Sequence, residues 1–201
     1  KMIFASSAGT VYGEADVIPT PENAIFSPIS HYGATKASSE LFISSFANLY
    51  DLEAFSFRLG NIYGPPSNHG VIFDFYMKLK KNPSKLEILG NGKQTKSYLY
   101  VDDCVDAHIK ALETSTKGHI PLNIASNTGT TVNEIANAVT KALSLKDVEY
   151  GYTGGDRGWE GDVPKAVVDI SKSKRIIDWT PETPVQNGIR KYINWLKNNY
   201  P

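Results

Sequence analysis

The stretch HYGATKASSELFISSFANLYDLEAFSFRLG, from His31 to Gly60, decides the fold class of this chain. Its first twenty residues are predicted to form a helix. The segment Ala54–Leu59 that follows (AFSFRL) has the apolar and aromatic character of a buried strand, and Gly60 ends it. Upstream, the apolar run Met2–Ser6 is typical of another buried strand. A strand, a helix and a second strand in this order indicate a parallel sheet with a helical crossover.

The same alternation of strands and helices continues towards the C-terminus. Short strands are predicted at 97–101 and 120–125, and an extended segment at 166–170. Helices are predicted at 71–81 and 184–199. Three more are predicted from their N-terminal caps: one from Asp102 and Asp103, one from a capping box of Thr131 and Glu134 to about Leu143, and one from Ser171. The chain is therefore expected to be α/β with a mainly parallel sheet.

Composition limits the classes of function. Apolar residues make up 41% and charged residues 21% of the chain, as in a soluble globular protein. The 21 basic residues balance 21 acidic ones, so nothing predicts electrostatic binding to nucleic acid. No apolar run approaches the roughly 18 residues of a membrane span, and no signal peptide is visible. We expect a cytoplasmic protein that binds neither nucleic acid nor membrane.

The single cysteine and the four histidines predict no redox or metal chemistry. Cys104 has no partner for a disulfide within the chain, which fits a reducing compartment, and we interpret it as a small buried apolar residue. The histidines do not follow a metal-ligand spacing, so no metal site is predicted; they are His31, His69, His108 and His119.

Tyr32 and Lys36 form the candidate catalytic pair. Their spacing is about one helical turn, so both side chains emerge from the same face of the predicted helix. An ammonium beside a phenol favours the phenolate and lowers the pKa of the tyrosine from about 10, which makes it a usable base. Chance alone gives about one such pair in a chain of this composition. A second pair occurs at Tyr76 and Lys80, where we expect an ordinary amphipathic helix.

Context separates Tyr32 from Tyr76. Tyr32 follows a strand, a glycine turn and a Pro-rich loop, so the start of its helix is expected beside the carboxyl edge of the sheet. Open α/β proteins bind their ligands at that edge. Ser6 and Ser7 lie at the end of the same strand, where their hydroxyls could reach a substrate oxygen. The sequence therefore predicts a site for proton transfer there.

Five ordered motifs make the sequence similar to a known family. They are SSAGTVYG (6–13), YGATK (32–36), FRLGNIYGP (57–65), LGNGKQTKSYLYVDD (89–103) and GDRGWEGDVP (155–164). In this order they resemble the extended short-chain dehydrogenase/reductase family, specifically its NAD-dependent nucleotide-sugar epimerases. The likeness is greatest to the archaeal-type UDP-glucose 4-epimerases, and it covers essentially all 201 residues.

The resemblance implies a fold, a cofactor and a reaction. The fold is the C-terminal half of a Rossmann-type parallel sheet domain plus a smaller α/β substrate-binding domain. The first part is expected at 1–65 with return segments near 97–126, and the second mainly at 66–201. The cofactor is NAD. The reaction is epimerisation of UDP-glucose and UDP-galactose at carbon 4 through a 4-keto intermediate. The enzyme, an isomerase, is implied to be a homodimer whose subunits contact each other through the helix at 31–50.

The resemblance also assigns roles to residues of this chain. Tyr32 takes the proton of the sugar 4-hydroxyl, Lys36 lowers the pKa of Tyr32 and binds the nicotinamide ribose, and Ser7 is the third catalytic candidate. The residues implied to bind the cofactor are Ala5, Ser6, Ser7, Tyr32, Lys36, Leu59 and Gly60. The residues implied to bind the sugar nucleotide are Asn61, Gly70, Val71, Leu89, Lys96, Arg157 and Asp162, with the segment 86–89 beside the uracil.

The turn after the first strand departs from the family pattern. The family places a Ser or Thr three residues before the Val of its VYG motif, to hydrogen-bond the sugar 4-oxygen. This chain has Ala8 there and Ser7 one residue earlier. Either Ser7 reaches inward through a local shift, or the site works without this hydroxyl. Gly9 and Thr10 stand where the family's 4,6-dehydratases need an acidic pair, which argues against a dehydratase.

Two charged positions also differ from many relatives. Lys96 stands where they carry an arginine for the diphosphate, which keeps the charge but loses the bidentate geometry. Arg157 is displaced by two positions from the usual arginine, where this chain has Trp159.

The family holds the NAD pyrophosphate on an N-terminal strand, glycine-rich turn and helix that residues 1–201 do not contain. We expect roughly the first hundred residues of a complete enzyme to lie outside this chain, which by itself would bind NAD poorly. The segment 155–161 fits G-x-x-G-x-x-G, but an extended run rather than a helix is predicted after it, so we do not interpret it as a dinucleotide loop. Two alternatives stay open: another nucleotide-sugar epimerase or reductase, and a non-catalytic nucleotide-sugar binding module.

Overall fold

A computed structural model describes residues 1–200, in which strands and helices alternate. The strands are β1 Met2–Ser7, β2 Ala54–Leu59, β3 Asn61–Tyr63, β4 Lys85–Ile88, β5 Thr95–Lys96, β6 Tyr98–Tyr100, β7 His119–Ile124, β8 Thr130–Thr131, β9 Glu149–Tyr152 and β10 Lys165–Ala166. The helices are α1 Ala8–Val11, α2 His31–Tyr50, α3 Val71–Lys81, α4 Val101–Glu113, α5 Val132–Ala142, α6 Ser171–Ile177 and α7 Val185–Asn199.

The principal sheet has three parallel strands in the order β1-β2-β7. The central strand β2 is buried almost throughout, as its apolar sequence predicts. The register aligns Ser7 with Leu59 and Leu59 with Ile124, so the three carboxyl ends meet at one edge. The predicted α/β class with a mainly parallel sheet is confirmed.

The remaining strands form three smaller sheets. β3 pairs with β6 and β4 with β9, both in parallel, while β5 lies between parallel β10 and antiparallel β8. Gly60 makes the step from β2 to β3 possible, because a Cβ there would lie 2.5 Å from the Ser97 carbonyl oxygen and 2.8 Å from the Ala125 Cβ. Only glycine fits so close an approach of two backbones.

Two large clusters of buried apolar side chains hold the layers together. One surrounds β2, β7 and α4, and burial there raises the pKa of Cys104 to about 11, so its interpretation as a buried apolar residue is confirmed. The other joins α3, β4, α5 and α7. The predicted apolar face of α7 lies in this second cluster; it consists of Val185, Ile189, Tyr192, Ile193 and Leu196.

Several local predictions are confirmed. The predicted bounds 31–50, 54–59 and 71–81 match the observed bounds of α2, β2 and α3. The capping box of α5 is formed: Thr131 Oγ1 accepts a hydrogen bond from the Glu134 backbone N–H at 3.1 Å. In return, Glu134 Oε2 accepts one from the Thr131 N–H at 2.7 Å.

The predicted caps at Asp102, Asp103 and Ser171 are wrong. Tyr100 is the N-cap residue of α4, and Asp102 lies in the first turn. The buried Asp103 carboxylate instead accepts the backbone N–H of Thr183 at 3.0 Å, which ties α4 to the segment before α7. Asp169 accepts hydrogen bonds from both the N–H and the hydroxyl of Ser171, so Ser171 is the donor rather than the cap.

No helix within residues 1–200 combines the length and the apolar content that crossing a bilayer requires. The predicted division into a Rossmann part and a substrate-binding part stays a prediction.

Candidate active site

Tyr32 and Lys36 lie together at the carboxyl edge of the principal sheet. Ser30 caps α2 by accepting a hydrogen bond from the Gly33 N–H at 3.1 Å, which places Tyr32 in the first helical turn. The Lys36 ammonium lies 5.5 Å from the centre of the Tyr32 ring and donates to the Ala5 carbonyl of β1 at 2.7 Å. It also lies 4.9 Å from the centre of the Phe4 ring. The ammonium is thus fixed between the phenol and the strand.

The Tyr32 side chain is 55% exposed, and its hydroxyl hydrogen-bonds no residue between 1 and 200. The comparison pair behaves differently. Tyr76 is buried in α3, its hydroxyl donates to the Tyr200 carbonyl at 2.7 Å, and burial raises its pKa. Of the two Tyr-x-x-x-Lys pairs, only the one on α2 presents its phenol to solvent beside an ammonium.

Gly33 allows α2 to begin so close to the strand edge. A Cβ at this position would lie 2.6 Å from the Thr10 carbonyl oxygen and 3.0 Å from the Pro28 Cβ. A glycine at this position therefore allows the first turn of α2 to pack directly against α1, which follows β1.

The two serines of β1 have different environments. The Ser6 hydroxyl is buried and donates to the Glu40 carboxylate, so the expectation that its side chain reaches a substrate is corrected. Ser7 is the N-cap residue of α1 without capping it, and its hydroxyl has no partner within residues 1–200. Ala8 is buried in a small apolar cluster with Val11 and Ala37. Of these three residues, Ser7 alone offers an uncommitted hydroxyl.

A network of buried polar side chains is centred on Glu40, one turn after Lys36 on α2. Arg58, near the end of β2, donates to the Glu40 carboxylate through Nε and Nη2, at 2.8 Å for the shortest bond. Arg58 Nη1 donates to the Tyr12 hydroxyl at 2.8 Å, and that hydroxyl donates to Asn123 Oδ1 at 2.8 Å. Burial raises the pKa of Tyr12 to about 12, which keeps this hydroxyl a donor. Nothing in the sequence pattern marks Glu40 except its position one turn after Lys36.

A cavity of about 400 Å³ opens next to this edge. Six of the seven residues expected to bind the sugar nucleotide line it: Asn61, Gly70, Val71, Leu89, Lys96 and Asp162. The expected uracil segment is corrected in part, because Leu86 and Ile88 are fully buried in the core and only Leu89 reaches the cavity.

Two charged residues of the cavity wall, Lys96 and Asp162, are paired with each other. The largely buried Lys96 ammonium contacts Asp162 Oδ1 at 2.7 Å and donates to the Val163 carbonyl. Asp162 Oδ2 accepts the Gly158 N–H at 3.1 Å. Arg157 lies outside the cavity lining and binds Glu14 at 2.6 Å and the Asp162 carbonyl at 2.6 Å. The role of Lys96 towards a diphosphate stays a prediction.

Several cavity residues were not identified from the sequence. They come from separate segments that only the fold brings together, and they include Tyr63, His69, Phe75, Gln94, Tyr98, Val132 and Trp159. Gln94 Oε1 is buried without a hydrogen-bond partner within residues 1–200. Trp159 is 58% exposed. Its one signal in the sequence was that it stands where the family usually has an arginine.

Two predictions remain, on the 155–161 glycine motif and on metal binding. After the 155–161 glycine motif the chain forms the short strand β10, and no helix begins there, as expected for a segment that is not a dinucleotide loop. Within residues 1–200, no three His, Cys, Asp or Glu side chains are grouped as ligands for a metal ion.

Comparison with known proteins identifies relatives along the whole chain. The sequence model of the NAD dependent epimerase/dehydratase family matches residues 1–125. A relative from Methanocaldococcus jannaschii, which carries a provisional UDP-glucose 4-epimerase name, is 36% identical over 99% of this chain and 64% of its own length. The chain thus spans less than two thirds of that relative.

Solved structures agree with the sequence comparison. The UDP-glucose 4-epimerase of Thermotoga maritima, solved with UDP-glucose, is 32% identical with a TM-score of 0.89, over 100% of this chain and 65% of that one. The UDP-glucose 4-epimerase of Thermus thermophilus, in complex with NAD, is 30% identical with a TM-score of 0.84, over 98% of this chain and 64% of that one.

Proposed function

The chain belongs to the NAD-dependent epimerase/dehydratase family, and from this premise we propose that the protein containing it epimerises a UDP-sugar at carbon 4, with UDP-glucose and UDP-galactose as the favoured pair. The observation that carries the proposal is the exposed phenol of Tyr32 beside the Lys36 ammonium at the carboxyl edge of the sheet. Other epimerases or reductases acting on nucleotide sugars are the alternatives within the family.

The residues at this edge fit the nicotinamide end of NAD. The Tyr32 hydroxyl and the Ser7 hydroxyl are both uncommitted, and the backbone of Leu59 and Gly60 lies at the same edge in register with Ser7. When bound, NAD supplies the acceptor and donor of hydride at carbon 4. Lys36 and Tyr32 would hold the ribose, while no residue of this chain is assigned to the pyrophosphate.

Proton transfer is the task of Tyr32 in this proposal. As a phenolate it removes the proton of the sugar 4-hydroxyl while the C–H bond at carbon 4 breaks, leaving a 4-keto sugar. After the sugar turns over in the site, Tyr32 returns the proton to the oxygen as the new C–H bond forms on the opposite face. The Lys36 ammonium lies 5.5 Å from the centre of the Tyr32 ring, beside the group that exchanges this proton.

Ser7 would supply the hydroxyl that the family places at the position of Ala8. The Ala8 methyl group is buried in packing, and the Ser6 hydroxyl is committed to Glu40. Ser7 remains, on the strand end that also carries Ala5, the acceptor of the Lys36 ammonium. A hydrogen bond from Ser7 to the 4-oxygen would stabilise the charge that develops there.

The cavity would receive the nucleotide. Its walls combine aromatic and aliphatic side chains with polar ones, which suits a nucleobase and ribose; the polar residues are Asn61, His69, Asp74, Gln94, Lys96 and Asp162. Asn61 lies at the start of β3, one residue after Gly60, so the cavity adjoins the edge that holds Tyr32. This continuity would place the sugar between the two.

The homodimer is also part of the proposal. The outward face of α2 carries five large apolar side chains that are between 53% and 72% exposed: Leu41, Phe42, Phe46, Leu49 and Tyr50. An apolar surface of this extent on one helix is typical of an interface. A cytoplasmic location stays a prediction.

One assay tests the function. The full-length protein is incubated with UDP-galactose and catalytic NAD, and UDP-glucose is measured; we expect conversion without net change in NADH. The Tyr32→Phe variant should bind the sugar nucleotide like the wild type and lose conversion by on the order of 10²-fold or more.

The alternatives give different outcomes in the same assay. Net consumption of NADH would indicate a reductase. Binding without conversion, equal in wild type and Tyr32→Phe, would indicate a non-catalytic nucleotide-sugar binding module. Conversion of another UDP-sugar in preference to UDP-galactose would indicate a different epimerase.

A further inference from the structure

We propose that the buried Glu40–Arg58 ion pair is the positioning element of the active site, which fixes the helical turn of Tyr32 and Lys36 against β1. The inference rests on the proposed function and goes beyond it, because it assigns a task to two side chains that do not reach the substrate. Glu40 follows Lys36 by one turn on α2, and Arg58 lies on the neighbouring strand β2.

The pair connects α2 to both strands that form the site. The Glu40 carboxylate accepts bonds from Arg58 Nε at 3.0 Å and Nη2 at 2.8 Å, and from the Ser6 hydroxyl of β1. Ser6 stands between Ala5, which accepts the Lys36 ammonium, and Ser7. α2 is therefore fixed to β1 at two consecutive helical turns. Lys36 binds Ala5 of β1, and Glu40 binds the following residue, Ser6.

The surroundings of Arg58 leave it one orientation. Its guanidinium lies 4.6 Å from the centre of the Phe26 ring and 5.1 Å from that of Tyr12. Its Nη1 donates to the Tyr12 hydroxyl and to the Glu22 carbonyl, both at 2.8 Å. A guanidinium held by two rings and three acceptor groups fixes the carboxylate in turn.

Stability alone does not explain this arrangement. Both side chains are almost wholly buried, at 1% exposed for Glu40 and 5% for Arg58. The desolvation of a buried ion pair offsets most of its attraction, and well-packed apolar residues in its place are often as stable. A directional pair does, however, define one register of helix on strand, which a set of apolar contacts does not.

The test compares Glu40→Gln with Asp103→Asn in the full-length protein. Asp103 is also a buried carboxylate, and it holds the Thr183 backbone rather than the turn of Tyr32 and Lys36, so Asp103→Asn controls for loss of stability. We expect Glu40→Gln to lower kcat by about 10–100-fold with KM within about twofold, since a displacement near 1 Å has such an effect. Asp103→Asn should leave kcat within about twofold. Equal kcat losses in the two variants would overturn the proposal.

A second variant separates positioning from folding. Replacing both partners, in Glu40→Leu/Arg58→Met, should restore much of the thermal stability lost in Glu40→Gln, while kcat stays low. If kcat recovers together with stability, the pair is merely structural and the proposal is wrong.

Amide hydrogen exchange gives a readout that is independent of activity. The backbone amides of 31–37 should exchange at least about 10-fold faster in Glu40→Gln than in the wild type. In Asp103→Asn their exchange rates should equal those of the wild type. A wild type without epimerase activity but with this exchange pattern would refute the proposed function and keep the positioning role. Unchanged exchange at 31–37 would refute the positioning role.

Discussion

Ser6 and Ser7 are neighbours in β1 and point to opposite faces of the strand. The first is turned into the polar network around Glu40, and the second has an uncommitted hydroxyl at the strand end. A one-residue shift along the strand would exchange these two tasks. The sequence placed both serines at the site and could not distinguish them, because the partner that selects Ser6 lies 34 positions away on α2.

Ser7→Ala tests which hydroxyl serves the sugar oxygen. We expect kcat to fall by on the order of 10²-fold, because a hydrogen-bond donor to the developing oxyanion is lost, while sugar-nucleotide binding measured by calorimetry stays the same. A kcat that Ser7→Ala leaves within about twofold of wild type would mean that the site works without this hydroxyl.

Gly33→Ala tests the close seating of α2. The new methyl group would lie 2.6 Å from the Thr10 carbonyl oxygen, so the first turn must shift. We expect the free energy of unfolding, measured by urea denaturation, to fall by about 1–3 kcal/mol, with a loss of kcat. Gly9→Ala is the matched control, because the nearest atom to its Cβ is 3.8 Å away, and it should be tolerated. Equal stabilities of the two variants would contradict this account.

At the scale of the element, the capping box of α5 links stability to pH. The hydrogen bonds from the N–H and the hydroxyl of Thr131 lower the pKa of Glu134 from 4.5 in the folded state. A lowered carboxyl pKa contributes stability that is present above the unfolded value and is lost as the pH falls through the folded value. The contribution of the box should therefore decline in acid.

Thr131→Ala should lower the free energy of unfolding by about 1 kcal/mol at pH 7, as loss of an N-cap does. Part of that difference should disappear between about pH 5 and pH 3, measured by urea denaturation at a series of pH values. Glu134→Gln is the control, since its side chain does not ionise, and in its background the effect of Thr131→Ala should not vary in this range. A difference that is constant down to pH 3 would exclude the charge of Glu134 as its source.

The sequence predicted those elements that local pattern determines. α3 has apolar residues at helical spacing and β2 is an apolar run that Gly60 ends, and the predicted bounds of α2, α3 and β2 match the structure. β4 was not predicted, because its four residues pair with β9 about sixty positions later and carry little signal alone. The cap predicted at Asp103 is wrong for the same reason: its carboxylate binds the backbone of Thr183, a partner invisible to local reading.

At the scale of the whole molecule, the site divides into a predictable and an unpredictable part. The strand edge with Tyr32 and Lys36 follows from a motif and from the rule that parallel strands gather ligands at their carboxyl ends. The cavity is assembled from segments between positions 61 and 162, so its aromatic walls depend on long-range packing. Its predicted residues came from resemblance to relatives, and Tyr98, Phe75 and His69 had no such signal.

The outward face of α2 predicts the assembly of the molecule. On the helix that carries Tyr32 and Lys36, the apolar side chains of Phe42, Phe46 and Leu49 point away from the core and remain exposed. Burying them in a second copy of the same helix would remove this surface from water, at roughly 25 cal/mol for each Å² of apolar area. We therefore expect the full-length protein to be a dimer in light scattering coupled to size exclusion.

Phe42→Glu should convert that dimer to a monomer, because a carboxylate would then face its own copy or an apolar surface. Leu112→Glu is the matched control: Leu112 is also a large apolar residue, 61% exposed, but it lies on the separate helix α4, and its change should leave the dimer intact. A wild type that is monomeric at all concentrations would exclude the interface. If Leu112→Glu dissociates the dimer and Phe42→Glu does not, the interface lies on α4 instead. Neither variant should lose its fold, since both side chains are exposed to water in the single subunit.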